Sequence, residues 1–396
     1  MALTDYKVAY DNTYEEVFNK VLVAKSIANM RYEPMLTFGG SVVRFTYDTS
    51  AVRVRTVSRG SASTIDAITD STETLTINTE KEAVFFISDG EVKQTGPLNP
   101  GEVIGGQIAV KVATDLDSRV LAEVLNAYQT FDDGDLTTSA STGTGITLSS
   151  TTVPQMVTRM PAKLKQVNQV LTNMAFVIDP YMAADLEQYL LGKQFDIVNS
   201  IWKNGYSGAI SMAEVYVSNN LTYTAVLTAT GALTAGDTVT IGGVVFTGAT
   251  GTLSVAGTFG VGTSATADLT RLAALITDPS TSTTGGIALS AADQATLQDT
   301  LGASASAGAS AMTFTGRGAG RVTVSVSSAS ATWGSKFLHA YYGKKGAIDL
   351  VVQDISSVDM RPTSDRRGVN IFSSYLAGIK TFADGAKKFL DVKIVV

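Results

Sequence analysis

Cysteine is absent from the 396 residues of this chain. That excludes disulfides, thiol nucleophiles and thiolate metal sites, and it lets the chain fold in a reducing compartment. Histidine is almost absent. A single residue, His339, rules out a histidine metal cluster and the two-histidine zinc helix. A Ser-His-Asp arrangement stays formally open, but no serine stands in a G-x-S-x-G elbow, and His339 lies in the alternating apolar stretch FLHAYY. It is therefore expected to be structural. Charge is sparse at 17% of residues, and the net charge is −6, so the chain as a whole has no basic footprint for nucleic acid. No apolar run approaches the ~18 residues that span a bilayer. The start, MALTDYKVAYDNTYEE, lacks the basic and apolar regions of a signal peptide.

What is present reads as an ordered α+β protein. Thr13-Tyr-Glu-Glu16 forms a capping box ahead of Val17, Phe18, Val21, Leu22 and Ile27, which predicts a helical arm ending before Pro34. Residues 41–57 and 73–88 alternate apolar and polar positions around the polar stretch SRGSASTIDAITD, and together they predict a long hairpin. Such a ribbon is barely stable alone and is expected to lie on a neighbouring molecule. After Asn99-Pro100-Gly101 comes an unbroken helical pattern, Ile104, Ile108, Val112, Leu116, Val120 and Val124, joined by Leu121 and Leu125 and running to about Tyr128. This is a rod of roughly 40 Å. A second helix is predicted over 153–171 with Pro154 in its first turn, then a buried strand over 175–178, and a helix over 181–191 ended by Gly192.

Near Leu221 the composition changes. Residues 221–335 hold eight charged residues, no Lys, no Glu, and 17 of the 36 glycines. Strands are predicted at 222–228, 237–247, 311–315 and 321–326, with helices at 267–276 and about 290–301, so the segment reads as a small α+β module rather than a linker. From Lys336 the composition of the first 220 residues returns, with strands predicted at 337–342, 348–358, 371–382 and 389–396. An inserted module requires its two ends to lie close together. Residues 336–396 carry ten Lys/Arg and six Asp, a local +4 against −10 elsewhere, an asymmetry suited to head-to-tail packing of copies.

Other motifs carry no chemistry. Asp132-Asp-Gly-Asp135 lacks the spacing and terminal Glu of a calcium loop and reads as a solvated loop. Gly316-Arg-Gly-Ala-Gly320 brings its third glycine too early for a dinucleotide fingerprint, and Lys344-Lys345 lacks the upstream glycine of a phosphate loop. No catalytic residue, cofactor site or metal site is expected.

The order of these elements, with several local phrases, resembles the major capsid proteins of tailed bacteriophages with the Hong Kong 97-type fold. The phrases are Gly39-Gly-Ser-Val-Val43 at the start of an extended loop, Thr74-Leu-Thr-Ile-Asn78 and Phe85-Phe-Ile-Ser-Asp89 on its return, and the rod at 102–128 as a spine helix. Phe176-Val-Ile-Asp-Pro180, Val215-Tyr-Val-Ser-Asn-Asn220, Tyr375-Leu-Ala-Gly-Ile-Lys380 and Gly385-Ala-Lys-Lys388 complete the series. The resemblance covers about 1–220 and 336–396. It implies an N-terminal arm at 1–38, an extended hairpin at 39–95, a peripheral domain with its spine helix at 96–174, and the first part of an axial domain at 175–220. An inserted domain at 221–335 and closing axial and peripheral strands at 336–396 follow.

By the same resemblance the chain would be a virion shell subunit, assembled in the bacterial host cytoplasm into hexamers and pentamers around double-stranded DNA. Partners would be copies of itself, a separate scaffolding protein and a portal, with loose, non-specific DNA contact through the basic last sixty residues and no membrane. Arg53, Arg55 and Arg59 on the hairpin are candidate inter-subunit contacts; the plainer reading is a solvated strand face. Some relatives link a hairpin Lys covalently to a neighbour. Here the tip, 58–72, has no Lys and the only hairpin Lys is Lys81, so no such link is expected. About forty residues precede the hairpin, too few for a built-in scaffold. The alternatives are an encapsulin-like compartment shell, another phage structural or surface protein, a secreted adhesin, and an enzyme with a novel site.

Overall fold

The structure is a computed structural model, and it describes residues 23–33, 40–48, 52–56, 59–60, 65–66, 69–88, 100–138, 140–191, 206–210, 212–283, 285–353, 359–362 and 367–396. The short helix α1 (Ala24–Ile27) precedes strands β1 (Ser41–Asp48), β2 (Thr69–Thr76) and β3 (Thr79–Ser88). The rod is helix α2 (Pro100–Ala122), tightening into a 3-10 turn over Glu123–Asn126. Then come β4 (Gln129–Phe131), α3 (Thr152–Gln166), β5 (Met174–Ile178), α4 (Pro180–Leu191), β6 (Tyr206–Ile210) and β7 (Ala213–Val217). The glycine-rich segment supplies β8 (Thr222–Ala229), β9 (Thr238–Ile241), β10 (Val244–Ala249), β11 (Thr258–Gly260), α5 (Ala265–Thr277), α6 (Ala291–Ala295), β12 (Ala303–Ala307), β13 (Ala311–Gly316) and β14 (Val324–Ser327). The last elements are β15 (Ala331–Lys344), β16 (Asp349–Gln353), β17 (Asp359–Pro362), β18 (Gly368–Lys380), α7 (Ala383–Ala386) and β19 (Phe389–Val395).

The rod buries the face that its period dictates. Ile108, Val112, Leu116, Val120 and Val124 are all buried with Leu121, while Leu125 is exposed because the 3-10 turn rotates it away from that face. At 23 residues the helix is about 35 Å long. Helix α3 buries Val153, Met156, Met160 and Leu164. It stops at Gln166, short of the predicted 171, because Asn168 takes a left-handed conformation (φ 58°) that a helix cannot continue through. The arm expected from Thr13 falls largely outside the described residues; Ala24–Ile27 is helical. Gly192 is likewise outside them.

The hairpin needs a correction. β1 and β2 pair over eight residues, Ser41 with Thr76 through Asp48 with Thr69. The rest of the expected return strand does not belong to the ribbon: β3 leaves it at Asn78 and pairs with β18 over ten residues. Ala83 and Phe85, two apart on one face, pack on the main core, and that apolar pair draws the strand into the body of its own chain.

A large sheet runs β12-β13-β8-β15-β5-β7-β6, with β19 pairing β15 and β4. It therefore contains strands from both sides of the composition shift, and β15 runs through residues 335 and 336. Thr224 opposes Phe337 across the β8–β15 ladder, so the two ends of the glycine-rich segment are side by side. One hydrophobic cluster holds Leu227, Phe246 and Leu272 together with Leu116, Phe176 and Leu390. A smaller sheet, β11-β10-β9-β14, is built wholly within the segment. Its β9–β10 hairpin turns on Gly242 and Gly243, both at positive φ (56° and 90°), as a two-residue turn matched to strand twist requires. The outer edge of β12 is closed by helix α5: the Thr277 hydroxyl bonds both the N–H and the C=O of Ala305, at 3.1 Å each.

Candidate functional site

The ribbon has a fixed base and an open tip. At the base Leu75 is fully buried with Tyr32, Val351 and Phe382. Arg44 bonds Asp384 at 3.1 Å and lies 5.3 Å above the Phe382 ring. Both oxygens of Glu73 accept from the Ala383 N–H at 3.1 Å. Lys388 and Arg44 hold the Asp384 carboxyl below its ordinary range. At the tip, Val54 and Ile65 are exposed by 105% and 91%, and Val52 is half exposed. The candidate arginines divide. The Arg53 N–H donates to Asp66 at 2.9 Å, the Arg55 guanidinium pairs with the same carboxylate, and Arg59 stands exposed in a turn beside Gly60. Asp66, which no sequence motif marks, is what organises the tip within the chain.

The arm is tied to the rod by a buried carboxylate. Asp117 accepts from the N–H groups of Val23 (3.1 Å) and Ala24 (2.8 Å). Burial pushes its pKa up to about 6, against the pull of those hydrogen bonds. Because the folded pKa is raised, this group's contribution is complete below the ordinary carboxylate range near pH 4 and is lost as pH rises through about 6. Asp117→Asn is expected to remove that slope. Denaturant unfolding of both proteins between pH 4 and 7 checks it: the difference between them should change by on the order of 2–3 kcal/mol across the window.

Two motifs without chemistry in the sequence have structural roles. Asp132-Asp-Gly-Asp135 is not a solvated loop, because Asp132 and Asp135 are buried. Asp132 accepts from the N–H groups of Gly134, Thr142 and Gly143 and from the Ser141 hydroxyl. Burial raises its pKa, and these donors outweigh burial and hold it low. Asp135 caps the Asp132 N–H at 3.0 Å and pairs with Lys163 of α3. Two carboxylates of the run are buried here, with backbone donors on Asp132 and one lysine on Asp135 offsetting the cost of burial, while Asp133 is exposed.

The Gly316–Gly320 run is a clasp between the glycine-rich segment and the rod. Gly318 (φ 70°) lies so close to α2 that a Cβ there would sit 2.0 Å from the Ser118 Cβ. Arg317 reaches within 4.0 Å of Asp115 on the rod. Just beyond the run, Arg321 bonds Asp179 at 2.9 Å and lies 4.6 Å from the Tyr181 ring. Glycine spacing alone signals a tight approach; which surface is approached is a tertiary fact.

His339 is buried between Thr224 and Asp391. Its Nδ1 is 2.8 and 2.9 Å from the Asp391 oxygens, and its Nε2 is 2.7 Å from the Thr224 hydroxyl. A ring protonated on Nδ1 satisfies all three groups, donating to the carboxylate and accepting from the hydroxyl. Hydroxyl, imidazole and carboxylate stand in the order of a nucleophile triad. All three are enclosed among β8, β15 and β19, so the network fastens three strands rather than meeting a substrate. Among the described residues no group of three or more His, Asp or Glu is placed to hold a metal, and no helix is long and apolar enough to cross a membrane.

No protein-family model matches the chain, and no curated protein sequence matches it. Solved structures do. The chain is similar to a structure from Mycobacterium phage Che8, at 14% identity and a TM-score of 0.49 over 93% of this chain and 90% of that one. It is similar to the capsid structure of cyanophage P-SCSP1u, at 10% identity and a TM-score of 0.43 over 90% and 84%. It is also similar to a virus-like particle from Pyrococcus furiosus, at 9% identity and a TM-score of 0.40 over 97% and 96%.

Proposed function

We propose that this chain is the repeating shell subunit of a tailed-phage head, built on a Hong Kong 97-type α+β fold and closed into hexamers and pentamers around double-stranded DNA. The observation that carries this is the ribbon. Its base is locked into the chain's own core, while its tip holds Val54 and Ile65 out in solvent, with Val52 half exposed beside them. Apolar side chains left exposed on an element anchored at its base favour an interaction surface. Burying such a side chain contributes about 1.5–3 kcal/mol, and repeating one head-to-tail contact around a ring closes a capsomer. Arg53, Arg55 and Arg59 flank these apolar residues and serve as its polar rim. The subunit assembles in the host cytoplasm with a separate scaffolding protein and a portal, contacts packaged DNA loosely through its basic last sixty residues, and forms no Lys81-based covalent link.

The pair of changes Val54→Asp and Ile65→Asp tests this reading. The exposed positions should tolerate both charges with folding stability changed by less than about 0.5 kcal/mol each. Co-expressed with its scaffold, the unaltered chain should give closed particles in negative stain, and the double variant should sediment as small species. A wild-type chain that stays monomeric, or a variant that assembles as well as wild type, overturns the reading.

A further inference from the structure

Arg317 is held against the rod with its charge poorly answered. Its Nε–H is enclosed and meets no acceptor among the described residues. A Cβ on Gly302 would lie 3.2 Å from that nitrogen and 3.1 Å from the Arg317 Cβ, so the side chain is packed tightly along its stem. The facing carboxylate, Asp115, is 4.0 Å from Nη2, beyond hydrogen-bond reach. Asp115 is already committed, since its Oδ2 accepts from Arg119 Nε at 2.9 Å and from the Tyr375 hydroxyl. Two guanidiniums therefore share one carboxylate, a local excess of one positive charge. The charges at the mouth of the adjoining cleft do not offset it, because Lys81 and Lys111 are matched by Glu82 and Asp299, all four exposed. Burial and the Arg119 charge lower the Arg317 pKa against the pull of Asp115. An enclosed donor without a partner and a like-charge neighbour both raise the free energy of the closed contact. Little backbone holds the run down. The Arg317 N–H reaches the Gly302 carbonyl at 3.4 Å and the Gly320 N–H the Leu221 carbonyl at 3.2 Å, both long for such bonds. The flanking residues are fixed: Gly316 pairs with Tyr223 in the β8–β13 ladder, and Arg321 bonds Asp179 at 2.9 Å.

We propose that the clasp is a release point: residues 317–320 lift off the rod in a local opening well short of global unfolding, with Gly316 and Arg321 as the fixed ends. Lifting carries the Arg317 guanidinium into water, where hydration replaces the shared carboxylate, and it uncovers Ser118. Asp115 keeps Arg119 and Tyr375, so nothing on the rod is left unpaired by the movement. The cleft of about 460 Å³ between the rod, β3 and the clasp leaves room beside the rod for it. A segment with few backbone bonds and a destabilised contact is the kind that opens on its own. The inference concerns the single chain and does not rest on the shell reading.

The absence of cysteine makes the opening directly measurable. Ser118 is buried, with Gly318 packed over it. In the full chain carrying Ser118→Cys, the thiol should react with a bulky aromatic disulfide each time the clasp lifts. Val120→Cys places a thiol on the fully buried face of the same rod, where it reports global unfolding. The first thiol should react about a hundredfold faster than the second, or more. Adding Arg317→Met keeps an unbranched stem and removes the unpaired charge. It should slow the Ser118→Cys reaction about tenfold and raise the urea midpoint, since no enclosed donor is left without a partner. Gly318→Ala should speed the reaction instead. Hydrogen exchange of the Gly320 amide in the chain without either cysteine should be slowed by Arg317→Met to the same degree, which separates the opening from any loosening caused by the new thiol. Equal reaction rates at the two thiols, or a clasp that opens as fast or faster in Arg317→Met, overturns the proposal.

Discussion

Gly318→Ala is expected to destabilise the folded chain by about 3–5 kcal/mol, one of the largest effects of any single methyl added to this protein. Two costs combine. The residue sits at φ 70°, where a side chain is strained, at about 1 kcal/mol or more. The new Cβ would also fall 2.0 Å from the Ser118 Cβ, an overlap that must be relieved by moving the clasp off the rod, at roughly 1–3 kcal/mol or more. Retreat of the clasp further weakens the Arg321–Asp179 bond beside it. Denaturant unfolding measures the total, and a double-mutant cycle isolates the contact. Ser118→Gly alone should cost about 1 kcal/mol as a helix-interior glycine. Combined with Gly318→Ala it should recover about 2 kcal/mol relative to the sum of the single changes. Strict additivity would mean that the clasp does not rest on Ser118.

The second large effect is expected at Asp391. Asp391→Ala leaves the His339 Nδ1–H buried without its acceptor and opens a cavity where the carboxylate stood, at a cost of about 1–3 kcal/mol. Thr224→Val removes only the hydroxyl at the other end and should cost about 1 kcal/mol. The double change His339→Leu with Asp391→Leu should lose less than Asp391→Ala alone, because two apolar side chains leave nothing unpaired. An Asp391→Ala protein within about 0.5 kcal/mol of wild type by denaturant unfolding would mean that the network does not hold the sheet. The position gives the loss a consequence for shape: Thr224 opens the glycine-rich segment on β8, His339 lies on β15 beyond its end, and Asp391 is on β19. The network fastens the place where the segment enters and leaves the large sheet.

Much of the architecture was legible because burial follows period. The apolar residues four apart from Ile108 to Val124 line one face of a helix in any context, and they are the buried face here. Alternation over 41–57 and 73–88 likewise marks a two-stranded ribbon, although the strands that pair are 41–48 and 69–76, the second beginning inside the expected polar loop. Where β3 leaves that ribbon was not legible, since an alternating strand reads the same whether its apolar face meets a neighbouring molecule or its own β18. Leu125 and residues 167–171 were misplaced for a related reason. A 3-10 turn and a left-handed asparagine redirect the chain without changing its apolar spacing.

The sequence by itself determined the classes of chemistry this protein forgoes, the rod, the ribbon and the change in composition at Leu221, because each depends only on residue type and local spacing. The tertiary structure alone decided that the glycine-rich segment shares a sheet and a core with the rest of the chain. It also placed Arg317 facing a carboxylate already taken by Arg119, and set the lone histidine between a threonine 115 residues before it and an aspartate 52 residues after it. Those outcomes join residues far apart in the chain through hydrogen bonds and close contacts. Their energy depends on distance and burial, which no local pattern of residue types encodes.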